Sequence, residues 1–232
     1  MIDYGAFEVL SFDCYGTLID WEKGIVGAIR ALVGEAVAQL SDDELLGAFA
    51  AVEHRAEVPY KRYREVLAVS LREIGDRLGF AVSDSQAAGL GASVGDWPPF
   101  PDSAAALRRL KSRFRLAVIT NCDDDLFAAS ERRLEISFDF VITAQQVGSY
   151  KPDPANFRFA LDRIGVSPER VLHVAQSLFH DHIPAKALGM TTVWIDRRAG
   201  TGGGATPPAE ATPDARFTSM ETFAAEAVPD AQ

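Results

Sequence analysis

The chain has 232 residues, 47% of them hydrophobic and 24% charged, a balance that argues against disorder and suffices for one domain with a large insertion or two modest domains. A formal charge of −10 excludes the broad basic footprint that nucleic acid or an anionic membrane surface requires, although a small ligand can still find a local cationic pocket. The two cysteines, Cys14 and Cys122, form no C-x-x-C pair, which argues against a disulfide framework or a zinc site.

The elements then follow in chain order. Residues 8–12 form a short apolar run that breaks into a glycine-containing turn, which predicts a buried parallel strand. Residues 21–95 read almost wholly as helix. Ser41 and Glu44 make a capping box ahead of Leu45, Phe49 and Val52. A second helix is predicted over 60–78, ending at Gly79, with a stripe of Tyr63, Leu67, Leu71, Ile74 and Leu78. The segment Trp97-Pro98-Pro99-Phe100-Pro101 breaks helical structure and reads as a return linker.

From Asp102 onward helix and strand alternate. Helices are predicted at 103–112, 124–134 and 154–164, and strands at 116–120, 140–143, 171–174 and 192–195, the last two with a helix between them. Residues 199–213, rich in Gly, Pro, Ala and Thr, read as a long loop before a closing strand near 216–218. The pattern predicts an α/β fold, a doubly wound parallel sheet with right-handed crossovers, built from residues 1–18 and 98–232 and carrying a helical insertion at 19–97. No window holds eighteen apolar residues, and the opening residues lack a signal-peptide pattern. A cytoplasmic chain is therefore expected.

Ligands of open α/β sheets bind outside the carboxyl ends of the strands, and several polar residues converge there. The first strand supplies Asp13 and Thr17, the second Thr120, Asn121 and Asp123, the third is followed by Lys151, and the fourth supplies Gln176, Ser177, His180 and Asp181. Lys151 beside Asp13 would keep the carboxylate ionised, as a nucleophile requires. His180 is an additional candidate base. The run Asp123-Asp124-Asp125 reads as capping and dipole compensation for the helix that follows. Trp21, Tyr60, Trp97 and Phe100 are candidates to wall an apolar cavity.

The motifs Asp13-Cys14-Tyr15-Gly16-Thr17-Leu18, Thr120-Asn121, Lys151-Pro152, and Ser177 with Asp181 recur in an order that resembles the haloacid dehalogenase superfamily. The helical insertion is similar to that family's cap. Phosphatases of the superfamily usually carry an acid two residues after the nucleophile, where this chain has Tyr15, and a second acid where it has Gln176. The Asp-x-Tyr-Gly-Thr-Leu form instead looks like the (S)-2-haloacid dehalogenases. That resemblance implies attack by Asp13 on a halogen-bearing carbon, an aspartyl ester, and hydrolysis of the ester. It further implies that Lys151 supports Asp13, that Thr17, Thr120, Asn121 and Ser177 orient substrate or water, and that Asp181 positions or deprotonates the water. Tyr15, Trp21 and either His54 or Arg55, near the family's cap arginine, become substrate-binding candidates.

The chain departs from the dehalogenase pattern at Ala175, Ser177 and Phe157, and in the additional His180 before Asp181. Three readings stay open: a cofactor-free dehalogenase of short 2-haloacids, a phosphatase whose Mg2+ is held by Asp13, the Tyr15 carbonyl and Asp181, and a non-catalytic ligand-binding relative. The expected partner is a small molecule. Neither nucleic acid nor membrane is expected, and the resemblance is consistent with a homodimer.

Overall fold

The fold comes from a computed structural model, which describes residues 2–199 and 206–230. Six parallel strands form the sheet: β1 (Val9–Phe12), β2 (Arg115–Thr120), β3 (Phe140–Thr143), β4 (Val171–Ala175), β5 (Thr191–Ile195) and β6 (Ala215–Phe217), in the order β3-β2-β1-β4-β5-β6. All four residues of β1 are buried, as both faces of a central strand must be. Alternation sends Leu10 and Phe12 to one apolar layer and Val9 to the other, where it meets Ala117, Phe157 and Ala185. The order reverses between β1 and β4, so the crevice of this sheet lies at the end of the strand that carries Asp13.

Phe12 pairs with Val118 on β2 and with Val174 on β4, which sets Asp13 at the sheet edge between the two following loops. Gly16 turns the chain there at φ 97°, and a side chain would bring its Cβ to 3.0 Å from Trp21 Nε1. The chain then leaves and rejoins the sheet along a paired seam, with Asp20 N donating to Pro98 O at 2.8 Å and Phe100 N to Leu18 O at 3.0 Å. Between these points lie α1 (Trp21–Val33), α2 (Asp42–Ala56), α3 (Tyr63–Leu78) and α4 (Asp84–Ala92). Gly24 of α1 lets Trp97 pack flush on the helix; a Cβ there would sit 2.3 Å from the indole.

The sheet carries α5 (Ser103–Lys111), α6 (Asp124–Leu134), α7 (Ala144–Val147), α8 (Pro154–Ile164), α9 (Ile183–Ala187) and α10 (Met220–Ala227). Three expectations change. The helix predicted from 60 begins at Tyr63, because Pro59 interrupts the approach and the Asp123 carboxylate caps its first turn by accepting from Tyr63 N and Arg64 N at 2.9 and 3.2 Å. Leu78 leaves the buried stripe and is 41% exposed, since Gly79 ends the helix beside it. The capping expected of the acidic run is not made by Asp123, whose side chain gives no cap bond to α6: it ties α3 to the sheet instead, and Asp125 pairs with Arg64. Helix α10, capped by Ser219, has no counterpart among the predicted elements.

Part of the loop expected at 199–213 lies outside the described residues, and 206–213 show no regular structure. Among the described residues, no single helix is long and apolar enough to cross a membrane.

Candidate active site

Asp13, 6% exposed, opens onto the crevice with both carboxylate oxygens engaged. Lys151 Nζ donates to Oδ1 at 2.9 Å and Thr17 Oγ1 to Oδ2 at 2.6 Å. The same ammonium donates to Asp181 Oδ1 at 2.7 Å and to Ile119 O at 2.8 Å, while His173 Nε2 lies 3.0 Å from Asp181 Oδ1. Burial opposes the Lys151 charge, yet the two carboxylates hold its pKa above the ordinary lysine value. Burial likewise opposes ionisation of Asp181, but Lys151 and His173 override it and hold that carboxyl well below the usual range. Asp13 goes the other way. Burial and the neighbouring Asp181 charge raise it against the pull of Lys151 and Thr17. One ammonium thus bridges the two carboxylates, at 2.9 Å from Asp13 Oδ1 and 2.7 Å from Asp181 Oδ1.

The loops fix these groups through their backbones. Asn121 clamps Lys151 from both sides of its peptide, accepting from its N–H at 2.7 Å and donating to its carbonyl at 3.0 Å. Thr17 Oγ1 also accepts from Gln176 N at 2.9 Å, which joins the turn after β1 to the loop after β4. Past that loop the chain makes a π-helical turn at Leu178–His182, and Asp181 within it reaches Lys151. Ser177 caps the turn, its Oγ accepting from His180 N at 2.9 Å and lying 3.0 Å from His180 Nδ1. Burial pushes the His180 imidazole down to about 4, so it is neutral at pH 7.

Sequence reasoning brings Asp13, Tyr15, Trp21, His54, Asn121, Lys151, Ser177, His180 and Asp181 to one cavity of about 80 Å³. Three expected members are placed otherwise. Thr17 is fully buried behind Asp13 and reaches the site only through that carboxylate. Thr120 is buried below the cavity, its hydroxyl without a partner, and Arg55 points outward to Glu73 at 3.0 Å. Of the two insertion candidates, therefore, His54 faces the site. Tyr15 reaches the lining, but its hydroxyl lies 3.0 Å from Ser130 Oγ and accepts from the Cys122 thiol at 3.3 Å. Among the proposed aromatic walls, Trp97 and Tyr60 pack on Tyr15 and Tyr150, and Phe100 lies under the Arg197 guanidinium. Only Trp21 of these four lines the cavity.

The residues that sequence reasoning missed come mostly from α2. Ala50, Glu53, His54 and Glu57 line the cavity at the i, i+3, i+4, i+7 spacing of one helix face, which was a readable signal. Burial raises Glu53 to about 7 although Tyr63 Oη donates to it at 2.8 Å, and burial together with the Glu53 charge raises Glu57 to about 9. His173, which positions Asp181 and whose Nδ1 lies 2.9 Å from Ser11 Oγ, reads in sequence only as a strand residue.

The fold has solved relatives. A structure of L-2-haloacid dehalogenase from Xanthobacter autotrophicus with chloropropionic acid covalently bound superposes with a TM-score of 0.79, covering 97% of this chain and 100% of that one at 19% identity. (S)-2-haloacid dehalogenase 4A of Burkholderia cepacia is 30% identical over 81% of this chain and 82% of its own length. Phosphoserine phosphatase of Thermus thermophilus is 35% identical over a shorter stretch, 57% of this chain and 53% of that one. The model of the haloacid dehalogenase-like hydrolases matches residues 7–189. With a buried carboxylate at the end of β1, a lysine shared with a second acid, and a helical insertion between the first two strands, the chain belongs to the haloacid dehalogenase-like hydrolases.

Proposed function

We propose that this hydrolase is a dehalogenase of short 2-haloacids, with residues 19–97 acting as a cap over the crevice. Asp13 attacks the halogen-bearing carbon; the carbon–halogen bond breaks, halide departs with the electron pair, and an ester links Asp13 to the substrate. Water then attacks the ester carbonyl, its proton passes to Asp181 or neutral His180, and the 2-hydroxy acid leaves as the Asp13 carboxylate returns. Lys151 and Thr17 hold the nucleophile, and Asn121 holds Lys151.

One observation carries this reading: the Tyr15 hydroxyl is turned toward Ser130 and Cys122, with burial raising it well above the ordinary phenol value. The position two residues after the nucleophile therefore offers no proton to a leaving alkoxide. Halide needs none. The site also suits Mg2+ poorly, because Gln176 stands where a further carboxylate would be and the Lys151 ammonium already sits between Asp13 and Asp181. Asp181 Oδ2 is the one oxygen of that pair with no protein partner.

The test is halide release from 2-chloropropionate with EDTA present. Metal-independent chloride release that disappears in Asp13→Asn is the expected result. Turnover of phosphate esters that requires Mg2+, with no chloride from haloacids, would make the chain a phosphatase instead.

A further inference from the structure

The cavity offers little to a bare carboxylate. A lysine has three donors, and those of Lys151 go to Asp13, Asp181 and Ile119 O. Among the described residues no arginine lines the cavity, whereas four carboxyl groups do: Asp13, Glu53, Glu57 and Asp181. His180 is neutral at pH 7. The wall facing Asp13 is acidic.

Two of these acids have unmet capacity. Glu57 is 8% exposed, and among the described residues its carboxyl makes no hydrogen bond; His54 Nδ1 lies 3.5 Å from its Oε2. Asp181 Oδ2 is also buried and unpartnered. A largely desolvated carboxyl that lines a ligand cavity with no hydrogen-bond donor from the protein is held there at a cost, and the donor it lacks can come from the ligand. Glu53 sits one turn before Glu57 on the same helix face, with Tyr63 bound to one of its oxygens.

We propose that Glu57 and Glu53 receive an ammonium group of the substrate, so that the preferred 2-haloacid is an amino-substituted zwitterion rather than a simple monoanion. This rests on the dehalogenase reading for the identity of the reacting carbon. The ammonium supplies the donors that Glu57 lacks, in a setting where charge-assisted hydrogen bonds are strong. Both glutamates are held above the ordinary carboxylate range in the free protein. An arriving cation favours their ionised forms, so binding releases protons.

The experiment compares chloride release from 3-amino-2-chloropropionate and 2-chloropropionate, which share a carbon skeleton and a reacting carbon. Wild type should prefer the amino compound at least about tenfold in kcat/KM. In Glu57→Gln that preference should fall toward parity, mainly through KM. A preference for 2-chloropropionate, or one that Glu57→Gln and Glu53→Gln leave intact, overturns the proposal.

Calorimetry of wild type with butylammonium and with butyrate, in two buffers of different ionisation enthalpy, needs neither turnover nor a variant. Binding of butylammonium with proton release, and weaker binding of butyrate, is expected. If butylammonium binds in this way and neither haloacid yields chloride, the dehalogenase reading fails and the ammonium subsite is supported. If butylammonium does not bind, the subsite is refuted even where 2-chloropropionate is turned over.

Discussion

The two walls of the cavity are built on opposite terms. At the sheet ends the charges are matched inside the protein: Lys151 spends all three donors, both oxygens of Asp13 are engaged, and Asn121 fixes the lysine backbone, with Asp181 Oδ2 the carboxylate oxygen left over. On α2 the carboxyl of Glu57 faces the cavity without a hydrogen bond among the described residues, and both glutamates are raised by burial. A charge-matched cluster is expected to hold a fixed geometry, whereas carboxyls facing a cavity without an opposite charge are expected to govern which ligand enters.

The largest effect should come from breaking the charge-matched wall. Lys151→Met leaves Asp13 and Asp181 buried against each other without the ammonium, and is expected to cost about 3–5 kcal/mol of stability and to abolish turnover. Urea titration and a halide assay read both; a stable, active variant would show that the cluster is not the organising element.

The α2 wall should appear in the pH dependence of stability. The folded-state values of Glu53 and Glu57, about 7 and about 9, lie above an unfolded value of about 4.3. The folded state thus binds more protons, and stability is greatest below that unfolded value and falls as pH rises toward about 9. The loss should be on the order of a few kcal/mol in denaturant melts between pH ~5 and ~9, and Glu57→Gln should flatten it. Asp181 acts in the opposite sense. Its lowered value contributes stability above about 3.9 that is lost as acid protonates it, a limb that Glu57→Gln should leave unchanged.

Asn121→Ala is expected to be milder than Lys151→Met. It removes two hydrogen bonds that hold the Lys151 backbone, and should lower kcat about 10–100-fold with a smaller change in KM, by analogy with supporting residues around metal ligands. Arg55→Ala should matter least, within about 0.5 kcal/mol and without effect on kcat/KM, because the guanidinium meets only Glu73 at the surface. A large loss of activity in that variant would return Arg55 to the cavity.

Local patterns made much of this legible. The alternation after Asp102, the apolar run before Asp13 and the strand-end placement of Lys151 and Asp181 follow from periodicity and from where parallel sheets expose their loops. What stayed hidden depends on long-range placement. Glu53 and Glu57 share a helix face with His54 by spacing, but that this face meets the sheet ends is decided only when α2 folds over them. The hydroxyl of Tyr15 is withdrawn by Ser130, 115 residues away in sequence. His173 looks like any strand residue until Asp181 folds back across it. The π-helical turn that carries Asp181 has no sequence signal of its own.

The account turns on a covalent ester at Asp13, and a single turnover of excess enzyme in 18O-labelled water tests it most directly. Hydrolysis of the ester at its carbonyl carbon puts the heavy oxygen into the Asp13 carboxylate, so mass spectrometry of the peptide containing Asp13 should show a gain of about 2 Da while the first-turnover 2-hydroxy acid stays unlabelled. Label in the product and none in Asp13 would mean that water attacks the substrate directly, and would contradict the account.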